Sequence, residues 1–226
     1  MKARKRNYIL LSVLLFSLAV TGIDAFVHPP YFSKIPIKIV FFLALPLLYF
    51  VIHREEWGAF RALFKPGRRG LAVSLLLGAV IFSAILGLFF LTRNIIDFSG
   101  VTSSLTDGMG ITADNFVWVA LYISVMNSLL EEFFFRGFGF MTLKRFADIR
   151  FAYLFSPILF AVYHVGMLAG MFHPAVLLLI LIGLIIGGLI FNALNDRFEC
   201  IYPSWFVHMA ANFAINTIGF ILFGMI

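Results

Sequence analysis

Residues 127–140 read NSLLEEFFFRGFGF, with two adjacent carboxylates and a guanidinium in otherwise apolar and aromatic surroundings. Two later stretches add matching groups: His164 in SPILFAVYHVG, and His208 with Asn212 in HMAAN. Together these types suit hydrolysis of an amide without a covalent nucleophile. A buried glutamate resists ionisation, and a nearby positive charge restores it. A carboxylate balanced in that way is a competent general base toward water near neutral pH. Arg136 stands four residues after Glu132, on one helix face, so an internal ion pair is expected there. That makes Glu132 an organiser and leaves Glu131, about 100° around the helix, as the base. His164 can share the same water, and His208 and Asn212 are donors suited to a developing oxyanion.

The same donor types allow a second chemistry. Two histidines and one glutamate with an open position can hold a catalytic zinc, here Glu131, His164 and His208, although the spacing is not that of the HExxH zinc proteases. Water activation without a cofactor is the preferred reading and zinc the alternative. A blander account has these polar residues tying helices together through hydrogen bonds worth about 1 kcal/mol each.

These residues must be positioned by membrane helices. Of the 226 residues, 62% are hydrophobic and 12% charged, and the mean hydropathy is +1.02. A soluble domain has about 25% charged residues, so the chain is expected to be an all-α, polytopic transmembrane bundle. Seven spans of near-membrane length are read at Tyr8–Val27, Ile35–Ile52, Leu71–Leu91, Phe116–Leu143, Phe151–Met171, Ala175–Leu194 and Tyr202–Ile226. They form a single domain over residues 1–226, with a catalytic core over about 116–216. The N-terminal basic start and apolar run resemble a signal peptide, but no small-residue cleavage site follows, so the segment is read as a retained helix. Gly137 and Gly139 could break the fourth span, and Pro157 is expected to kink the fifth and make room for water.

The net charge of +6 follows membrane orientation rather than nucleic acid, because basic residues gather in alternate links. Lys2, Arg4, Lys5 and Arg6 precede the first span, Arg54, Arg61, Lys65, Arg68 and Arg69 follow the second, and Lys144, Arg145 and Arg150 follow the fourth. This asymmetry places the N-terminus in the cytoplasm of a multi-pass cell-membrane protein, with the site opening toward that side. Glu55–Phe64 is amphipathic and suits the membrane surface. The lone Cys200 excludes an internal disulfide. Counting 1.5 Å per residue from the cytoplasmic edge puts Glu131 at ~18 Å, His164 at ~20 Å, His208 at ~9 Å and Asn212 at ~15 Å. A charge near mid-membrane costs roughly 2.5–3.5 kcal/mol, so such groups ordinarily face a protein interior or a wet cavity. Asn127 and Ser128 are read as packing residues, Asn216 as a continuation of the His208–Asn212 stripe, and His28, His53 and His173 as interfacial.

EEFFFR, FAVYH and HMAAN, in that order on successive spans, fit EExxxR, FxxxH and HxxxN, and the chain here resembles the CAAX prenyl protease 2, or CPBP, family of intramembrane endopeptidases. The resemblance covers about Leu129 to Asn212. It implies that Glu131 and His164 activate the water, that His208 and Asn212 form the oxyanion site, and that Glu132 and Arg136 support the first glutamate. It also implies a membrane-associated protein or peptide substrate, prenylated in some members and linked with bacteriocins in bacterial ones. Both glutamate and metalloprotease labels attach to the family. Its members usually show eight helices, so an eighth is expected near Gly137–Phe146 or at the N-terminus. Two other classes stand beside this reading. One is a non-catalytic immunity or scaffold protein of the same fold. The other is a proton-coupled transporter using a carboxylate–histidine relay, although no repeated halves are visible.

Overall fold

The computed structural model describes residues 1–226 as helices and links, with no strand. Seven helices are long and apolar enough to cross a membrane: α1 (Lys2–Val27), α2 (Tyr31–Ile52), α4 (Arg68–Thr92), α6 (Ala113–Arg145), α7 (Ile149–Leu168), α8 (Pro174–Phe198) and α9 (Tyr202–Leu222). Two short helices complete the chain, α3 (Trp57–Ala62) and α5 (Ser99–Met109). The chain is a multi-pass membrane protein, and each of the seven expected spans corresponds to one of these helices.

α6 is the axis of the bundle. Every residue from Glu131 to Leu143 is buried, which explains why this stretch is apolar on all sides rather than on one stripe. Its aromatic rings lock into α1 and α2: Phe134 stacks on Phe42 with centroids 4.2 Å apart, and Phe138 meets Tyr49 edge to face. The outer helices α4 and α8 instead turn Leu75, Leu76, Leu88 and Leu91, and Leu178 and Leu179, outward, as lipid-facing helices do.

Gly137 and Gly139 do not break α6, and no eighth span is hidden there. Residues 132–142 continue as a wide-turn helix with i→i+5 bonding, followed by a tight turn over Leu143–Arg145. At both glycines an added Cβ would meet its neighbours at about ordinary contact distance. A Cβ on Gly139 would come within 3.4 Å of Val13 on α1, and one on Gly137 within 3.4 Å of Leu63. A second wide-turn segment spans Ile123–Asn127; such segments recur at functional sites.

Pro157 sits inside the continuous α7. It has no N–H to give the carbonyl of Tyr153 four residues earlier, and the Asn192 amide of α8 donates to that carbonyl instead, at 3.2 Å. The expected room around the proline is taken by packing: a Cβ on Gly188 would lie 2.7 Å from the Pro157 Cβ.

The link after α4 contains α5. The Ser99 N–H donates to Asp97 at its start, and Gly110 in the left-handed region, at φ 66°, ends it, a conformation glycine adopts without Cβ strain. At the other membrane face α3 follows a short turn over Arg54–Glu56, within the stretch read as amphipathic. Lys5 reaches Glu55 at 2.7 Å and Glu56 at 2.6 Å, and Arg145 pairs with Glu56 from the end of α6. The Lys5 ammonium donating to Glu55 holds that carboxyl down at about 2.

Candidate active site

The register of α9 against α6 assembles the site. Ile201 is fully buried and its N–H bonds the carbonyl of Leu63 at 3.0 Å. Its side chain faces Gly137, which lies eight residues, or ~12 Å, inside the end of α6. α9 therefore begins level with Gly137 rather than with the end of α6. The difference in depth expected between His208 and Glu131 disappears, and the two residues meet.

From that start, α9 climbs along α6 with a polar contact at nearly every turn. Ser204 donates to Glu132 Oε2. His208 Nδ1 lies 3.0 Å from Glu132 Oε1, and its Nε2 lies 3.7 Å from Glu131 Oε2. Trp205 donates to the Val125 carbonyl and the Ser128 hydroxyl. Asn212 donates to the Ile123 carbonyl at 3.2 Å, and Asn216 to the Ala120 carbonyl and Ser124. Asn216 is thus an interhelical tie. Asn212 spends one of its two amide hydrogens on this contact and keeps the other.

Glu132 and Arg136 form the expected ion pair, at 3.5 Å, with both side chains fully buried. The Arg136 guanidinium lies over the rings of Phe160, 4.1 Å from the centroid, and Phe191, at 4.9 Å, so aromatic faces take the place of water around it. Glu132 faces Ser204, His208 and Arg136 together.

Glu131 is 2% exposed and differently placed. Its Oε1 accepts from Asn127 Nδ2 at 2.7 Å and from the Tyr163 hydroxyl at 3.0 Å. Its Oε2 faces His208. His164 makes no hydrogen bond or ion pair with Glu131. Its Nδ1 lies 2.7 Å from the Phe160 carbonyl, which sets the proton on Nδ1 and leaves Nε2 as an acceptor. The ring stands beside that of Tyr163, with centroids 4.7 Å apart.

Three contributors escaped the sequence reading. Tyr163 precedes the singled-out histidine, Ser204 precedes His208 by one turn, and Lys38 of α2 donates to Asn127 Oδ1 at 2.8 Å and lies 3.7 Å from Glu131 Oε1. Lys38 was visible as a charge three residues inside an assigned span. Asn127, read as packing, bridges Lys38 and Glu131.

No group of three or more His, Cys, Asp or Glu side chains is arranged to hold a metal ion. Glu131, His164 and His208, the alternative zinc set, do not form such a group.

Residues 113–214 match the family model described as "Rce1-like: Type II CAAX prenyl endopeptidase Rce1-like". No curated protein and no solved structure matches the sequence.

Proposed function

We propose that this protein is an intramembrane endopeptidase whose general base is Glu131, a reading supported by the match of residues 113–214 to the Rce1-like type II CAAX prenyl endopeptidase model. The observation that carries the reading is the contrast between the two glutamates: Glu132 is engaged by Ser204, His208 and Arg136, while Glu131 has both neutral donors on Oε1 and turns Oε2 toward an imidazole. Glu131 takes a proton from water held between it and the acceptor Nε2 of His164. The hydroxide attacks the scissile carbonyl. The free amide hydrogen of Asn212 and the Nε2 edge of His208 receive the oxyanion. Proton return from Glu131 to the leaving amine completes the reaction. Arg136 and Glu132 hold His208 in register.

The proposed substrate is a membrane-associated protein or peptide, either of prenylated CAAX type, the class that the matched family's description names, or bacteriocin-related. The charge asymmetry of the links favours the Lys5–Glu56–Arg145 face as the cytosolic one, with the substrate entering from that side. No metal takes part.

The test is cleavage of a farnesylated peptide ending in cysteine, two aliphatic residues and a variable residue, by purified protein in liposomes, with peptide mapping of cell membranes in parallel. Glu131→Gln is expected to lower turnover about 100- to 10,000-fold while the protein remains folded. A zinc chelator is expected to leave the rate unchanged. Full activity in Glu131→Gln would remove the base, and chelator sensitivity would restore the metal reading. A carboxylate–histidine relay would show instead as Glu131-dependent uptake in sealed vesicles.

A further inference from the structure

A cation from a helix outside all three motifs reaches the carboxylate on which the proposed reaction depends. Lys38 is 7% exposed and sits where α2 passes into a wide-turn segment, Ile39–Ala44. Its ammonium donates to Asn127 Oδ1 at 2.8 Å, lies 3.7 Å from Glu131 Oε1, and stands 5.2 Å from the centroid of the Tyr163 ring. All of these contacts point into the bundle rather than out toward lipid headgroups.

Each element packed around Glu131 contributes a neighbouring group: Lys38 from α2, Asn127 from α6 itself, Tyr163 and His164 from α7 and His208 from α9. The other cations nearby are committed elsewhere. Arg136 pairs with Glu132, Lys34 pairs with Asp24 at 2.7 Å, and His208 makes its closer contact with Glu132, at 3.0 Å. Asn127 and Tyr163 are neutral donors. An ionised carboxylate away from water needs a countercharge as well as hydrogen bonds.

We propose that Lys38 is a positioning residue for the hydrolysis: it is the counter-ion that keeps Glu131 a carboxylate at membrane depth and, through Asn127, pins Oε1 so that Oε2 is the oxygen left to work. The inference rests on the reading of Glu131 as the base.

The test is infrared difference spectroscopy at pH 7 in liposomes, subtracting Glu131→Gln from its parent in three backgrounds: wild type, Lys38→Gln and Lys38→Arg. Glutamine keeps an N–H donor for Asn127 and removes only the charge; arginine keeps the charge. The carboxylate stretch of Glu131 is expected in wild type and Lys38→Arg, and a carboxylic-acid carbonyl stretch in Lys38→Gln. On the farnesylated peptide, Lys38→Gln is expected to lower kcat about 100-fold with KM little changed, and Lys38→Arg to recover most of it. A carboxylate band persisting in Lys38→Gln would overturn the proposal, as would turnover equal to wild type. Should wild type itself fail to cut any membrane peptide, the endopeptidase reading falls, while the infrared bands still decide what Lys38 does.

Discussion

Two lysines one turn apart on α2 meet two carboxylates, and the pairs are built differently. Lys34 and Asp24 touch at 2.7 Å, beside a cavity of about 260 Å³ that is also lined by His28, Ser104 and Met171. Lys38 and Glu131 stand 3.7 Å apart, with Asn127 bonded to both. Burial does not separate them, since all four residues are buried. What separates them is closure. The outer pair is in direct contact, and its work is to satisfy two charges. In the inner pair an amide intervenes, so the countercharge is present without occupying the oxygen that faces His208. A membrane interior tolerates both forms, and only the second leaves a carboxylate available for chemistry.

The comparison can be broken first on turnover. Glu131→Gln is expected to lose about 100- to 10,000-fold, while Asp24→Asn, which removes the carboxylate of the closed pair, is expected to cleave the farnesylated peptide at the wild-type rate. Equal losses would erase the distinction. Stability should rank the pairs the other way. Asp24→Asn leaves Lys34 buried without its countercharge and is expected to cost about 3–5 kcal/mol, read from unfolding in detergent. Glu131→Gln is expected to cost less, because Lys38 retains Asn127. The smallest effect is expected from Asn216→Ala, which removes amide contacts to the Ala120 carbonyl and Ser124: about 1 kcal/mol, with turnover unchanged. A larger kinetic effect there would extend the active region along α9.

The spans were legible because about twenty apolar residues between basic links leave few alternatives. The Glu132–Arg136 pair followed from helical spacing. The depth of His208 did not, because counting from the start of α9 assumes that start lies at the membrane edge, and no local pattern in CIYPSW shows Ile201 bonding to Leu63 inside the bundle. α5 was hidden by the Gly, Ser and Thr of GVTSSLTDG, residues of low helix preference, although the Asp97–Ser99 bond and a left-handed glycine enclose a helix. Lys38 was missed for another reason. KIPIKIV looks like a helix entry with snorkelling lysines, and only the packing of α2 against α6 shows that Lys38 points inward. The signal available was the four-residue spacing of Lys34 and Lys38, which puts both on one face.

Pro157 and Asn192 form a coupled genetic unit. The proline creates an orphan acceptor on Tyr153 and the asparagine answers it from the neighbouring helix, so neither position is free to vary alone. Asn192→Ala is expected to strand a buried carbonyl at about 1–3 kcal/mol, measurable as lowered unfolding temperature. Adding Pro157→Ala returns an N–H to α7 and should suppress much of that defect. Natural variation at residue 192 should therefore track whether residue 157 is an imino acid, a covariation produced by one missing hydrogen.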